Sequence, residues 1–427
     1  MKCFGISSVG FICVLLCLVV SCKKRDAAAV YPLNGIYGAS APALSAERAI
    51  PSFRLERSSV RPVVVPEKTE AWELSSHIAS YRYIHLETTP SSLLGSITKL
   101  CVADSLLFVF DRANRLVLRF SDTGAFLGSV GTLGKGPGEY VNISDISLDR
   151  YRKEICLLDL DGGKLNFYDY DGRFLRSQPL YYFYNHIEFV PGGQLHSTAF
   201  SHNVAFPSID MHRLLLSGQD QAPRFKGFSY PAQLRASFHW EVPSPLQELD
   251  GRVYYHHILS DTIWEVCDSV CRARYVLEFP GRHNPFTAAS LQNLTDREYL
   301  SLNKRVCYFT GLYLQTRDHL CFYLRDRDGR IYPLLYHKST GHMRYGAFSQ
   351  GKSDAGLLSH LLSGYFDFTY EGRSFVKVIQ PFETLRLLKM MKKYQRPLRL
   401  SADDRRFVSR LHEEDNPVLL VVDLKPF

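Results

Sequence analysis

The chain has 427 residues, with 51 Lys and Arg against 43 Asp and Glu, a formal net charge of +8 and ten cysteines. Its basic residues are scattered among nearly as many acidic ones, and no nucleic-acid partner is expected. Four cysteines fall within the first 22 residues, and the other six are too few for a chain this large to be a disulfide-stapled scaffold.

Residues 1–21 read as a targeting segment. Lys2 provides the positive start, and Val9–Val20 is a twelve-residue apolar run. A bilayer span needs about 20 such residues, so the run fits the core of a signal peptide and not a membrane helix. Val19-Val20-Ser21-Cys22 resembles the lipobox of bacterial lipoproteins, in which the cysteine is acylated and becomes the first mature residue. That resemblance implies lipid attachment at Cys22 and anchoring by more than one acyl chain, as stable anchoring requires. Residues 22–75 are rich in Ala, Ser and Pro, with prolines at 32, 42, 51, 62 and 66. No strand or helix period is apparent, and the stretch is expected to be a lipidated flexible tether.

From Tyr81 the texture becomes all-β, with short apolar runs separated by turns such as Asp122-Thr123-Gly124, Asp171-Gly172 and Asp328-Gly329. Leu107–Leu127 and Ile155–Leu175 repeat one another, with Asp111 on Asp159 and Gly124 on Gly172, an offset of 48 residues. Several short strands in a unit of about 40–50 residues mark propeller blades, which stack because one blade cannot bury both of its faces. Residues His186–Phe200 read as part of a third blade, and Val253–Phe279 as most of a fourth. Val306–His337 reads as a fifth, and Ser374–Ile379 with Val418–Val422 as the last. Helical insertions are expected near residues 287–304, where Thr295 and Glu298 have capping-box spacing, and near 381–413, where Ser401 is placed to cap a helix. The fold expected for residues 76–427 is a six-bladed β-propeller. Its ring should close by pairing of Tyr81–Glu87 with the strand around Val418–Val422, which removes free sheet edges.

Leu107–Phe120 followed by Gly124–Tyr140 resembles an NHL-type propeller repeat, down to the closing Gly134-x-Gly136-Pro137-Gly138-Glu139. The wider chain is similar to a family of six-bladed propeller lipoproteins found in gut Bacteroidetes. Tyr83–Gly95, Ser260–Phe279 and Asp415–Lys425 carry the likeness with the glycine loop. The resemblance implies the fold and an envelope location, and says little about function.

Local motifs favour structural roles. The Gly131–Gly138 loop lacks the Gly-Lys-Ser/Thr ending of a phosphate loop, and Pro137 lacks a backbone donor, so it reads as an interblade turn. Asp159-x-Asp161-Gly162, Asp169-x-Asp171-Gly172 and Asp326-x-Asp328-Gly329 lack the twelve-residue spread of a calcium loop and read as hairpin turns. Tyr181–His186 reads as interblade packing ahead of a stacking platform, and the basic run Lys389–Arg399 as a solvated helix face. Cys267 with Cys271, and Cys307 with Cys321, are the candidate bridges, with buried free thiols the expected state.

No His-Glu-x-x-His or Gly-x-Ser-x-Gly motif occurs. The leading expectation is a propeller that binds a peptide, a glycan or an envelope protein, with no cofactor and no metal. It would be anchored through Cys22, at the outer membrane and facing the periplasm, because Lys23-Lys24-Arg25 does not resemble an acidic surface-export tag. The rival is a metal-dependent lactonase- or lyase-like enzyme whose site lies in the central channel. Asp111, Asp159, His186, His256 and His257 are the candidates for channel or ligand residues in either case.

Overall fold

The second strands of the blades dictate the architecture. Leu106–Asp111 and Glu154–Asp159 are apolar on both faces and buried almost throughout, so each needs a covered surface on either side. In the structure, a computed structural model, alternate residues feed two different cores. Leu107 and Val109 pack with Leu419 and Val421, whereas Phe108 and Phe110 pack with Ile155, Leu157 and Tyr168. The described residues are 49–427 except 199–202, 204–205, 230–241, 243, 258–259, 281–306, 327, 349–355 and 396–397.

They form a six-bladed β-propeller of four-stranded antiparallel sheets. Blade 1 spans residues 99–129, blade 2 spans 143–179, blade 3 spans 186–229, blade 4 spans 246–278 and blade 5 spans 308–345. Blade 6 combines Phe368–Tyr370, Ser374–Ile379 and Val418–Leu424 with Ile78–His85. Six apolar clusters occupy the six seams between neighbouring blades. Each fully buried Leu or Phe contributes about 2 kcal/mol, so the seams hold the ring.

Closure occurs where the sequence places it. Val418–Leu424 pairs antiparallel with Ile78–His85, with Leu420 opposite Tyr83 and Val422 opposite Tyr81. Asn416 adds a polar tie, accepting from Leu94 N at 2.8 Å and donating to the carbonyls of Glu87 and Ser92 at 2.9 and 2.7 Å.

The tether reading fails for its second half. Residues 50–77 form a belt along the outer rim. Ser52 bridges Lys226 of blade 3. Arg54–Glu56 and Arg61–Val64 then pair in parallel with the outer strand of blade 4, and Trp72 bridges Phe348 beyond blade 5. Ile50, Phe53, Val63, Val65, Trp72 and Leu74 are buried by it. The belt is illegible by composition because its strands have only three and four residues. Proline 62 also reads as a breaker, yet an edge strand tolerates it.

Helices Pro381–Lys393 and Ala402–Ser409 occupy the predicted second insertion, and the predicted first one lies outside the described residues. Ser401 and Asp404 form a reciprocal capping box at 3.0 and 2.9 Å, and Phe407 stacks on Tyr83 at 4.0 Å. Tyr394 does not join the packed face of its helix. It is the C-cap and is 65% exposed.

All six cysteines of the propeller are free. Cys271 lies opposite Val266 with its side chain in the seam between blades 3 and 4, while Cys267 lies opposite Val270. Successive positions face opposite sides of a strand, so the first candidate pair cannot bridge.

Candidate functional site

The aligned aspartates of the repeat are staples. Asp111 ends the second strand of blade 1, fully buried, and accepts from Gly95 N (2.6 Å), Ser96 N (3.2 Å), Asn114 N (3.2 Å) and Asn114 Nδ2 (2.9 Å). Asp159 occupies the same place in blade 2, accepting from the backbone N–H groups of Val141, Asn142 and Gly162 at 2.9–3.0 Å. Each carboxylate ties a hairpin turn to the chain arriving from the preceding blade, with its oxygens already occupied. The structure therefore takes both out of the candidate channel set.

The three histidines diverge. His186 begins the inner strand of blade 3, with Nδ1 3.8 Å from Asp145. His256 is fully buried between blades 4 and 5, donating from Nε2 to the Ser260 carbonyl (2.8 Å) with its ring 4.5 Å from Phe309. Burial lowers its pKa to about 4, so it is neutral packing. His257 lies beside Phe228 and Tyr255. Of the five candidates, His186 alone sits on an inner strand.

Around His186 the structure assembles a polar ring that the sequence reading missed. The first strands of the sheets surround the axis, and those of blades 1–4 carry charges. Lys99 Nζ lies 2.8 Å from Asp145 Oδ1, with 23% of its side chain touching solvent. Burial alone would raise the Asp145 carboxyl, but Lys99 and then His186 outweigh it and hold it at about 2. Glu188, one step along from His186, accepts from the Ser147 hydroxyl at 2.7 Å and from Phe189 N at 3.2 Å, both on Oε1. Burial lifts its pKa to about 7 against the opposing pull of Lys99 and Ser147. The Cys101 thiol is pushed up to about 12 by burial and is no nucleophile at neutral pH.

One mouth of the ring, at the turns that follow the inner strands, is laced shut. Arg150 reaches from blade 2 to Glu248 of blade 4 (3.0 Å) and to the Val102 carbonyl of blade 1 (3.0 Å). Gly372 of blade 6, at a φ of +62°, packs across the axis against blade 4, where an added Cβ would stand 2.5 Å from the Leu249 side-chain tip. Arg317 of blade 5 grips Asp250 of blade 4 with two nitrogens and donates its backbone N–H to the Gly372 carbonyl.

On the same face a cleft of about 110 Å³ opens between blades 2 and 3, lined by Arg152, Arg176, Gln178, Gln194 and Gln219 among others. Arg176 lies 4.0 Å over the Phe167 ring and is bidentate to Glu154 at 2.8 and 2.7 Å. Tyr182 and Tyr184 are interblade packing, as expected: Tyr182 bonds His196 and Ser217, and Tyr184 stacks on His196 at 3.8 Å. The glycine loop is a turn held by Glu139, which accepts from Gly136 N at 2.7 Å. Asp169 and Asp326 likewise hold hairpin turns, accepting from Arg173 N and Arg330 N.

A sequence signal for the ring did exist. Ile143–Asp149 places Asp145, Ser147 and Asp149 two apart, and His186 and Glu188 have the same spacing. Polar residues at period two within an apolar strand occupy one side of it. Among the described residues no three His, Cys, Asp or Glu side chains are grouped to hold a metal ion, and no helix is long and apolar enough to cross a membrane.

A family described as a domain of unknown function, DUF4934, matches residues 62–423. The crystal structure of an exported-protein candidate from Bacteroides fragilis is 18% identical. It covers 86% of this chain and 100% of its own length, with a TM-score of 0.69. A DUF4221 family member from Bacteroides vulgatus is 8% identical over 82% of this chain and 97% of its own, with a TM-score of 0.45. No curated protein matches the sequence. At this level of identity the first likeness speaks to the fold alone.

Proposed function

The chain belongs to the DUF4934 family, and from that premise we propose that it is a lipid-anchored envelope protein whose propeller binds a ligand without transforming it. The observation that carries the reading is the state of the inner ring. Lys99 is committed to Asp145 and Arg150 to Glu248, and the Cys101 thiol is held neutral by burial. Such groups can recognise a ligand, but none is poised as a nucleophile or as an open set of metal ligands. The apolar run ending at Cys22 supports export and acylation, and the basic Lys23-Lys24-Arg25 supports a periplasm-facing anchor in the outer membrane. The repeat of blades 1 and 2 is of the NHL type. The partner is a peptide, a glycan or a neighbouring envelope protein, met at the mouths of the ring.

Two measurements test this. Wild type should take up labelled palmitate and partition with membranes, and Cys22→Ala should do neither. Labelling of Cys22→Ala would end the anchor reading. A thermal-shift screen of the mature protein against envelope peptides, glycans and divalent metals should find a stabilising ligand that is recovered unchanged. A stoichiometric metal whose removal abolishes a hydrolytic or lyase activity would replace binding with the enzyme reading.

A further inference from the structure

The inner ring is short of one positive charge. Three carboxyls meet there from three blades: Asp145 of blade 2, Glu188 of blade 3 and Glu248 of blade 4. Asp145 is satisfied by Lys99 and by the backbone N–H groups of Ile146 and Ile187. Glu248 is satisfied by Arg150 and by Gly251 N. Glu188 has no cation of its own. Its Oε1 is pinned by Ser147 and Phe189, and its Oε2 has no hydrogen-bond partner in the protein and reaches solvent at the ring.

A buried carboxyl with one oxygen fixed and the other free is built to accept from a donor that arrives in the channel. Two further features select the donor. The charges around Glu188 are Lys99 and Arg150 against Asp145 and Glu248, so once Glu188 ionises the ring carries one negative charge in excess, which an incoming cation matches. The neighbouring carboxylates are already engaged, which leaves a single oxygen, too few for a divalent metal needing six or more oxygens but suited to one N–H of an ammonium group. We infer that the inner ring holds a site for a primary ammonium group, which donates to Oε2 of Glu188.

This rests on the binding reading and deepens it, naming the chemistry of the ligand's buried end. Binding drives ionisation: as the ammonium arrives, the proton on the Glu188 carboxyl leaves to solvent, since two charged partners replace one neutral acid. The groups facing Glu188 are Lys99 and Cys101 from blade 1, Asp145, Ser147 and Arg150 from blade 2, His186 on its own strand and Glu248 from blade 4.

The experiment is calorimetric titration of the mature protein with ethylammonium at pH 7, in phosphate and in MOPS, whose different ionisation heats report proton release. A ligand of three heavy atoms binds no more tightly than about 1 mM, so saturation is expected in the millimolar range, with about half a proton released per site, because a carboxyl near 7 is half protonated at pH 7. Tetramethylammonium, with the same charge and no N–H, should bind at least about tenfold more weakly, as should ethylammonium to Glu188→Gln. Should Glu188→Gln fail to fold, Ser147→Ala, which unpins Oε1, should still weaken ethylammonium several-fold. The inference falls if ethylammonium does not saturate, if tetramethylammonium binds equally, if neither variant alters binding, or if calcium takes the site. If it falls while an envelope peptide or glycan still raises the melting temperature, the recognition reading stands without it. Conversion of that ligand to product would instead overturn the recognition reading and leave the ammonium site intact.

Discussion

Blades 1 and 2 solve the problem of exposed sheet edges differently from blades 3 and 4. The outer strands of blades 1 and 2 are four and six residues long, and the second ends in Pro179. Short edges, one of them ended by proline, resist unwanted pairing by themselves. The outer strands of blades 3 and 4 run to seven and nine residues, and the belt of residues 50–66 covers them. Where the blade is built to the repeat, its edge needs nothing more. Where its last strand has lengthened, the chain has supplied a lid from its own N-terminal side.

The sharpest test of that contrast asks what each half loses without its cover. Truncation at Pro417 removes Val418–Leu424, strips the seams on both sides of blade 6 and should abolish the folded state, seen as loss of the cooperative melt. Persistence of an unchanged melting temperature would show that ring closure holds nothing together. Within the belt, Val63→Ala with Val65→Ala deletes two side chains that are 0% and 1% exposed, and should cost about 3–5 kcal/mol in urea denaturation. The same pair of truncations at Leu127 and Leu175, which are 44% and 45% exposed on the bare edges, should cost less than about 1 kcal/mol. Equal losses in the two pairs would erase the distinction between lidded and self-limiting edges.

Acid should also separate the two halves. Blades 1 and 2 contain no histidine, whereas blades 3, 4 and 5 bury His186, His196, His256, His319 and His337. Burial lowers His196 to about 3 and His256 and His319 to about 4. A histidine depressed below its unfolded value of about 6.5 contributes stability that is complete above that pH and lost as pH falls towards its folded value. Glu188 acts oppositely. Its folded pKa of about 7 lies above the ordinary value of 4.5, so its contribution grows as pH falls from about 7 to 4.5. Three histidines against one carboxyl leave a net loss. Hydrogen exchange at pH 5 should therefore be accelerated, relative to pH 7 after correction for intrinsic rates, in blades 3–5 before blades 1–2. Uniform acceleration would show that the histidines are not responsible. Smallest of all, Tyr394→Ser should change stability by less than about 0.5 kcal/mol, because the ring is exposed at a helix end.

The same division governs what could be read in the sequence. Blades 1 and 2 were legible because Asp111 and Asp159 perform one task at one position, and a task repeated at fixed spacing leaves a visible period. The closing strand was legible because Val418–Val422 is too apolar to be anything but a buried strand. The belt was not, since its information lies in Val63 and Val65 pointing inward past an exposed Val64, an alternation too short to stand out. Four of the five candidate residues lie off the inner strands for a related reason, and His186 alone lies on one. Aspartates in turns and adjacent histidines catch the eye, while the ring is built of single residues from separate blades. Lys99, Asp145, Glu188 and Glu248 have no common neighbourhood until the sheets are arranged around an axis.

That arrangement also sets an order of events. Leu94 and Asn416, joined in the folded ring, are separated by 322 residues, and Tyr83 finds its partner only when Leu420 exists. Contacts so distant in sequence form slowly, because the loop must close before they contribute any stability. A chain emerging from its N-terminal end can build blades 1 to 5 in turn, yet the ring stays a horseshoe until its final strand is available. Completion of synthesis is thus itself a folding signal, and an unfinished chain remains open for as long as it is unfinished.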